Sequence, residues 1–187
     1  MRTDTVVDPS PACARALDTL ASALSSSGHT VFDVSPPSPF TALKLASHLL
    51  LSDGGQTFMS FFRTGEWNDL GAAVMMRYMR LPRFVKKLHY WWVKYIRRDA
   101  LWAELIRDWH PKSAYEYWQL AGAREAYKAR FYDWWDETDM DVMLVPPNAT
   151  PAVPHGGMAD AVSSCGYTFL FNLVSSPSPI TLSTITN

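Results

Sequence analysis

From Leu70 to Arg98 the chain carries no Asp or Glu, while Arg77, Arg80, Arg83, Lys86, Lys87, Lys94, Arg97 and Arg98 are interleaved with aromatic residues. A stretch this polarised must show its apolar and its cationic sides to different surroundings, and that requirement constrains the fold more than any other. Pro82 cannot continue a helix interior, so it divides the stretch into two helical pieces. In the second piece Phe84, Leu88, Trp91 and Tyr95 recur at helical spacing, with Val85, Trp92 and Ile96 beside them. Arg83, Lys86, Lys87, Lys94, Arg97 and Arg98 take the other side. Three environments suit such a helix. It can lie in the headgroup layer of a membrane, where Trp rings favour the boundary and cations meet anionic lipid. It can be a core helix with a solvated basic back. It can face nucleic acid, although that would place the aromatic rings among the cations as stacking platforms. All eight Trp lie between Trp67 and Trp135, so the middle of the chain is either a specialised surface or an aromatic-rich core.

The remainder is compositionally ordinary. With 187 residues, 48% hydrophobic and 19% charged, the chain is globular and long enough to bury a core without disulfides or metals. A formal net charge of −1 gives no general pull toward nucleic acid, and none is expected as a partner. Cys13 and Cys165 form neither a disulfide framework nor a zinc spacing, which fits a reducing compartment. No apolar run approaches the roughly 20 residues of a membrane-spanning helix, and Arg2, Asp4 and Asp8 interrupt the place of a signal-peptide core. The expected location is intracellular, cytoplasmic or peripheral to a membrane.

Local signals give an order of elements. Asp8 and Ser10 are cap residues, Pro11 suits a first helical turn, and Ala12, Cys13, Ala16, Leu17, Leu20, Ala21 and Leu24 are helically spaced up to the stop at Gly28. His29 to Val34 is β-branched and aromatic and ends at Pro36-Pro37, which predicts a short strand. Ala42 to Leu51 predicts a second helix, closed by Ser52-Asp53-Gly54-Gly55. Ser113 with Glu116 opens a long helix to about Trp135 through a capping box. Met140 to Val145 has the length and apolarity of a buried strand. Asn148 to Ala161 is loop by composition, and Tyr167 to Val174 is the last clearly apolar element. Helix, strand and helix in that order point to an α/β layer. The chain divides into a helix–strand–helix part (1–57), a basic aromatic helical cap (58–110), and a long helix with C-terminal strands (111–187).

A search for catalytic chemistry returns little. His29, His48, His89, His110 and His155 lack metal-ligand spacing, and Asp108 with His110 has no further partner, so no metal or cofactor is expected. Asp133, Asp136, Glu137, Asp139 and Asp141 read as a solvated helix end rather than an acid/base pair. Ser25-Ser26-Ser27-Gly28 reads as a helix terminus, and neither it nor Ser163-Ser164-Cys165-Gly166 forms a nucleophile elbow. Asp53-Gly54-Gly55 reads as a tight turn.

The chain resembles the amidase-signature hydrolases, and within them the fatty acid amide hydrolase type. The likeness runs through Pro11 to Leu17, Gly28-His29-Thr30, Pro36-Pro37, Ser52 to Gly55, Arg80-Leu81-Pro82, Pro111-Lys112-Ser113, Met140 to Pro146 and Gly166 to Leu173. It implies a mixed sheet flanked by helices with a helical membrane-cap insertion, of which this chain would hold part. Such enzymes cleave amides with a Ser–cis-Ser–Lys triad carried by a Gly/Ser-rich stretch and an upstream lysine. That stretch has no counterpart here and no lysine precedes Lys44, so no catalytic residue is assigned and the chain alone should be inactive. Ser175 to Leu182 departs from the family pattern. By the resemblance, Phe62, Trp91 and Tyr95 face an acyl channel, while Leu81, Val85, Lys86, Lys87 and Trp92 meet lipid. The implied partners are a fatty acid amide substrate once a catalytic half is supplied, a membrane surface and a second copy in a homodimer. The basic aromatic helices alone would equally serve a non-catalytic membrane-surface or lipid-binding module.

Overall fold

The protein is described from a computed structural model, and the residues described are 1–62, 65, 70–157, 164 and 166–175. Trp67, Ser163, Cys165 and the segment beyond Ser175 lie outside them. The elements are α1 (Pro11–Ser26), α2 (Pro39–Leu50), α3 (Gln56–Ser60), α4 (Leu70–Arg80), α5 (Arg83–Trp91), a π-helical turn (Trp92–Ile96), α6 (Ala100–Ile106), α7 (Ala114–Thr138) and α8 (Gly166–Val174). The chain forms two compact units: Met1–Ala42 with Arg124–Ala152 and Ser164–Asn187, and Leu43–Ala123 with Val153–Ser163.

In the first unit the second half of α7 buries Tyr127 and Phe131, and α8 buries Tyr167, Leu170, Phe171, Leu173 and Val174. Polar side chains close the ends of this core. Arg124 Nε donates to the Leu173 carbonyl at 2.9 Å and Tyr132 Oη to that of Val174 at 2.8 Å, satisfying carbonyls that a helix C-terminus leaves open. Tyr127 Oη donates to the Pro37 carbonyl at 2.6 Å. Helix α1 starts as its sequence requires, with the Ser10 hydroxyl accepting from the Cys13 N–H and Pro in the first turn. Yet no residue of α1 is buried.

The two expected strands are not strands. His29 to Val34 and Met140 to Val145 are irregular chain without a ladder, the second bending at Asp141, and no sheet occurs among the described residues. Among described residues, no backbone N–H from Thr30 to Val34 or from Met140 to Val145 donates a hydrogen bond. The β-branched and apolar residues favour extension, but a strand also needs a second backbone to form a ladder, and among the described residues neither segment has one.

In the second unit Leu43, Leu45, Leu51, Met79, Val93, Ala103, Leu105, Ile106 and Trp109 form the core. Trp109 Nε1 donates to Ser47 Oγ at 3.2 Å. The turn before α3 is built by Asp53, whose carboxylate accepts from the N–H groups of Gly55 and Thr57 at 2.7 Å each. Gly54 there has φ +77°, and a Cβ on it would stand 2.8 Å from Pro111 Cγ, so only glycine fits. The Ser113–Glu116 box closes as expected, Glu116 accepting from the Ser113 N–H at 2.7 Å.

His48 is buried in this unit, with Nε2 3.4 Å from the Leu105 carbonyl. Burial, reinforced by the Lys112 charge, pushes its pKa down from 6.5 to about 4. As pH falls below 6.5 the unfolded chain takes up this proton before the folded one does, so stability drops until the folded imidazole protonates near 4. The free energy of urea unfolding should therefore fall between neutral pH and pH 4, by up to about 3 kcal/mol, and His48→Gln should remove most of that dependence.

Candidate functional site

The acid-free stretch builds the most distinctive surface of the second unit. At about 100° per residue, Phe84, Leu88, Trp91 and Tyr95 fall within roughly 60° of one another around the helix. This arc faces outward. Phe84 is 75% exposed, Leu88 71%, Trp91 49%, Tyr95 56% and Ile96 71%. Lys86 and Val93 are buried on the opposite side, with His89, Tyr90 and Lys94 half-buried, whereas Arg83, Lys87, Arg97 and Arg98 stay exposed. The helix is inverted relative to an ordinary surface helix: within this unit its apolar face is not part of the core.

Buried polar bonds hold it that way. Lys86 is buried, and its ammonium donates to the carbonyls of Trp109 at 2.8 Å and Met79 at 3.0 Å while lying over the Tyr78 ring. Burial pushes the Lys86 ammonium pKa down, and the charges of Arg83 and Lys112 push it further. One helical turn on, Tyr90 Oη donates to Glu104 Oε1 at 3.0 Å, and Lys94 Nζ donates to Tyr90 Oη at 2.9 Å. Glu104 also pairs with Arg107 at 2.9 Å, Lys44 at 3.4 Å and Lys94 at 3.6 Å. Burial raises its carboxyl pKa, but the Tyr90 bond and the Arg107 and Lys44 charges more than offset this and hold it below the usual value. Val93 fills the apolar gap between these two polar anchors. The π-helical turn then lets the chain reverse through Arg98, at φ +56°, into α6, which Asp99 caps at the Trp102 N–H.

The expected site residues separate accordingly. Trp91 and Tyr95 stack at 5.1 Å, exposed and side by side. Phe62 is half-buried and meets Phe58 edge to face at 5.0 Å, and no ring contact among the described residues joins it to the Trp91–Tyr95 pair. Trp92 is 46% exposed between His89, stacked at 5.9 Å, and the Arg97 guanidinium, 5.6 Å from the ring. Leu81 and Lys87 are exposed and Val85 is half-buried. Lys86 is the correction. The sequence places it on the outer basic side, but its ammonium reaches inward to the Trp109 and Met79 carbonyls. Phe84, Leu88 and Ile96 were seen as part of the apolar face but not singled out as contacts, and their exposure makes them the centre of the patch. The expected serine and acidic clusters are structural: Ser26 and Ser27 hydroxyls bond back into α1, and Asp133, Asp136, Asp139 and Asp141 are exposed.

The fold and this patch can be set beside known proteins. The chain belongs to the Amidase family, whose model matches residues 1–186. It is 29% identical over 181 residues to Fatty-acid amide hydrolase 1 of Sus scrofa, covering 95% of this chain and 30% of that protein. To Fatty acid amide hydrolase 1 of Caenorhabditis elegans it is 26% identical over 168 residues, 89% of this chain and 28% of that one. A segment of 73 residues is 40% identical to Amidase 2 of Gibberella moniliformis. The chain thus spans less than a third of the length of these relatives.

Lys86→Met should cost about 2–3 kcal/mol in urea unfolding, the penalty for two carbonyls left without their charged donor. Lys87→Met, one residue on and exposed, should stay within about 0.5 kcal/mol. Equal effects would mean that Lys86 is not the inner anchor.

Proposed function

We propose that this chain is the acyl-channel and membrane-cap part of an amidase-family hydrolase that cleaves fatty acid amides, with the nucleophile, base and oxyanion donors supplied by sequence outside these 187 residues. The single observation that carries the proposal is the outward apolar arc of α5 and the π-helical turn, anchored from behind by Lys86 and Glu104. Family membership and the names of the Sus scrofa and Caenorhabditis elegans relatives support the substrate class. In the complete enzyme the segments 29–34 and 140–145 of the first unit would belong to a mixed sheet flanked by helices.

The arc suits a membrane surface on physical grounds. Its backbone is already hydrogen-bonded within the helix, so contact with hydrocarbon leaves no peptide group unsatisfied. Transfer of such half- to three-quarter-exposed side chains from water contributes about 1–2 kcal/mol each. Exposed Arg80, Arg83, Lys87, Arg97 and Arg98 add attraction to anionic headgroups of about 1 kcal/mol each. No helix among the described residues is long and apolar enough to cross a membrane, so association through this face would be interfacial. Trp91 and Tyr95 at the rim of the arc would border the route of an acyl chain from the bilayer.

Two measurements check this. The chain should float with vesicles containing phosphatidylserine, and the pair Phe84→Ser with Leu88→Ser should weaken retention at least tenfold while leaving the circular dichroism unchanged; retention that ignores these changes would remove the membrane role. Incubated alone with an N-acylethanolamine, the chain should release no fatty acid above buffer. Turnover blocked by a serine-directed fluorophosphonate would show that the chemistry resides here after all, whereas floating without any activity when joined to a catalytic half would favour a lipid-binding module.

A further inference from the structure

At the start of α5, within the second unit, three basic side chains meet with no acid between them. His110 Nδ1 lies 3.4 Å from Arg83 Nη2 and 2.9 Å from the Pro111 carbonyl, and His110 Nε2 lies 3.3 Å from Lys112 Nζ. A neutral imidazole has one N–H and one acceptor nitrogen. With the hydrogen on Nδ1 the ring donates to Pro111 and accepts from Lys112, and Arg83 is left facing an N–H. With the hydrogen on Nε2 the ring accepts from Arg83, but Nδ1 then opposes the Pro111 carbonyl and the N–H opposes the Lys112 ammonium. Neither form serves both cations, and Arg83 has no other side-chain partner among the described residues. No ion pair among the described residues includes Arg83 or Lys112. The two carboxylates whose charge reaches Lys112 are engaged elsewhere. Asp108 pairs with Arg107 at 3.2 Å, and Glu116 accepts from the Ser113 N–H at 2.7 Å and from its hydroxyl at 2.8 Å. Lys112 is half-buried, its ammonium bonded to the Asp108 carbonyl at 2.6 Å. Burial pushes its pKa down against the pull of Asp108 and Glu116, and the Arg83 charge adds to the fall.

We infer that Arg83, His110 and Lys112 form a headgroup site for the terminal phosphate of a phosphomonoester lipid, such as phosphatidic acid, at the end of the apolar arc. The inference rests on the reading of that arc as a membrane face. Arg83 and Lys112 stand within 3.4 Å of the two nitrogens of one ring, a gap that a single phosphate spans with a charge-assisted bond to each of two oxygens. Such a phosphate gives Arg83 the acceptor that the imidazole cannot. A monoester phosphate carries about −1.5 to −2 charge at pH 7 and three free oxygens, which matches two cations. The phosphate of a diester lipid carries a single charge and leaves one of the two cations unmatched. The neighbouring residues select a lipid over a soluble phosphate. Phe84 directly follows Arg83 and is 75% exposed, and Leu88 one turn on is 71% exposed, so phosphate and hydrocarbon have their places side by side. Other cations around the arc do not repeat the arrangement: Lys94 is bonded to Tyr90, Arg97 lies over the Trp92 ring, and Lys87 is a single exposed charge.

The test is cosedimentation of the whole chain with phosphatidylcholine vesicles that carry either phosphatidic acid or phosphatidylglycerol, adjusted to equal surface charge. Phosphatidic acid should hold the chain about tenfold more tightly, the effect of one additional charge-assisted bond. Arg83→Gln should bring the two lipids within about twofold of each other. Lys87→Gln should weaken both alike and keep their ratio. Lys112→Gln should act as Arg83→Gln does; where circular dichroism shows that it does not fold, the exposed Arg83 decides alone. Equal retention by the two lipids overturns the headgroup site and leaves the membrane face standing. A ratio that survives Arg83→Gln also overturns the site. Retention on neither vesicle overturns the site and the membrane reading together. Glycerol 3-phosphate, added at the concentration of the lipid phosphate, should not release the chain. Release would assign the site to a soluble phosphate compound and overturn the lipid.

Discussion

A lysine ammonium bonded to two carbonyls decides the face that the central helix shows to its surroundings. Lys86 reaches the Trp109 and Met79 carbonyls from inside the second unit, and the rest of the helix must follow its phase. His89, Tyr90 and Val93 turn inward with it, and Phe84, Leu88, Trp91 and Tyr95 are left on the outside. Hydrophobic burial alone would rotate the helix by half a turn. It does not win, because that rotation would bury Phe84 and Leu88 at the cost of breaking charge-assisted bonds to Lys86 and separating Tyr90 and Lys94 from Glu104.

How much of this could be read from the residues follows from the range of the forces involved. Helix limits are local: Ser10 with Pro11, the Ser113–Glu116 box and Pro82 each act within one turn, and the structure has boundaries close to those the sequence implies. The amphipathic division of the 83–98 stretch is equally local and was visible in its spacing. Which half points inward is not local. It depends on carbonyls at positions 79 and 109 and on a carboxylate at 104, and no periodicity in the helix itself records them. Lys86 and Lys87 are adjacent and chemically identical in the sequence, yet one is an anchor and the other is solvent-exposed.

The strands fail for a related reason. Val31, Phe32, Val142 and Val145 favour extension, and the backbone there joins neither a helix nor a ladder. A sheet is a relation between segments, and among the described residues neither segment has a ladder partner. Helix α1, with a regular apolar stripe and its Ser10 cap, likewise has no buried residue. Its stripe faces a groove between the segments 29–34 and 139–144 rather than a packed layer.

Two apolar surfaces are thus left open, and their backbones distinguish what each can meet. Around Phe84 and Leu88 the peptide groups bond within the helix, so that surface asks only for apolar contact and a fluid hydrocarbon layer can supply it. Around Val31 and Val142 the N–H groups have no acceptor among the described residues, so apolar contact alone would bury them at a cost of about 1–3 kcal/mol each. A lipid could cover the first surface but would leave the second worse off than water does.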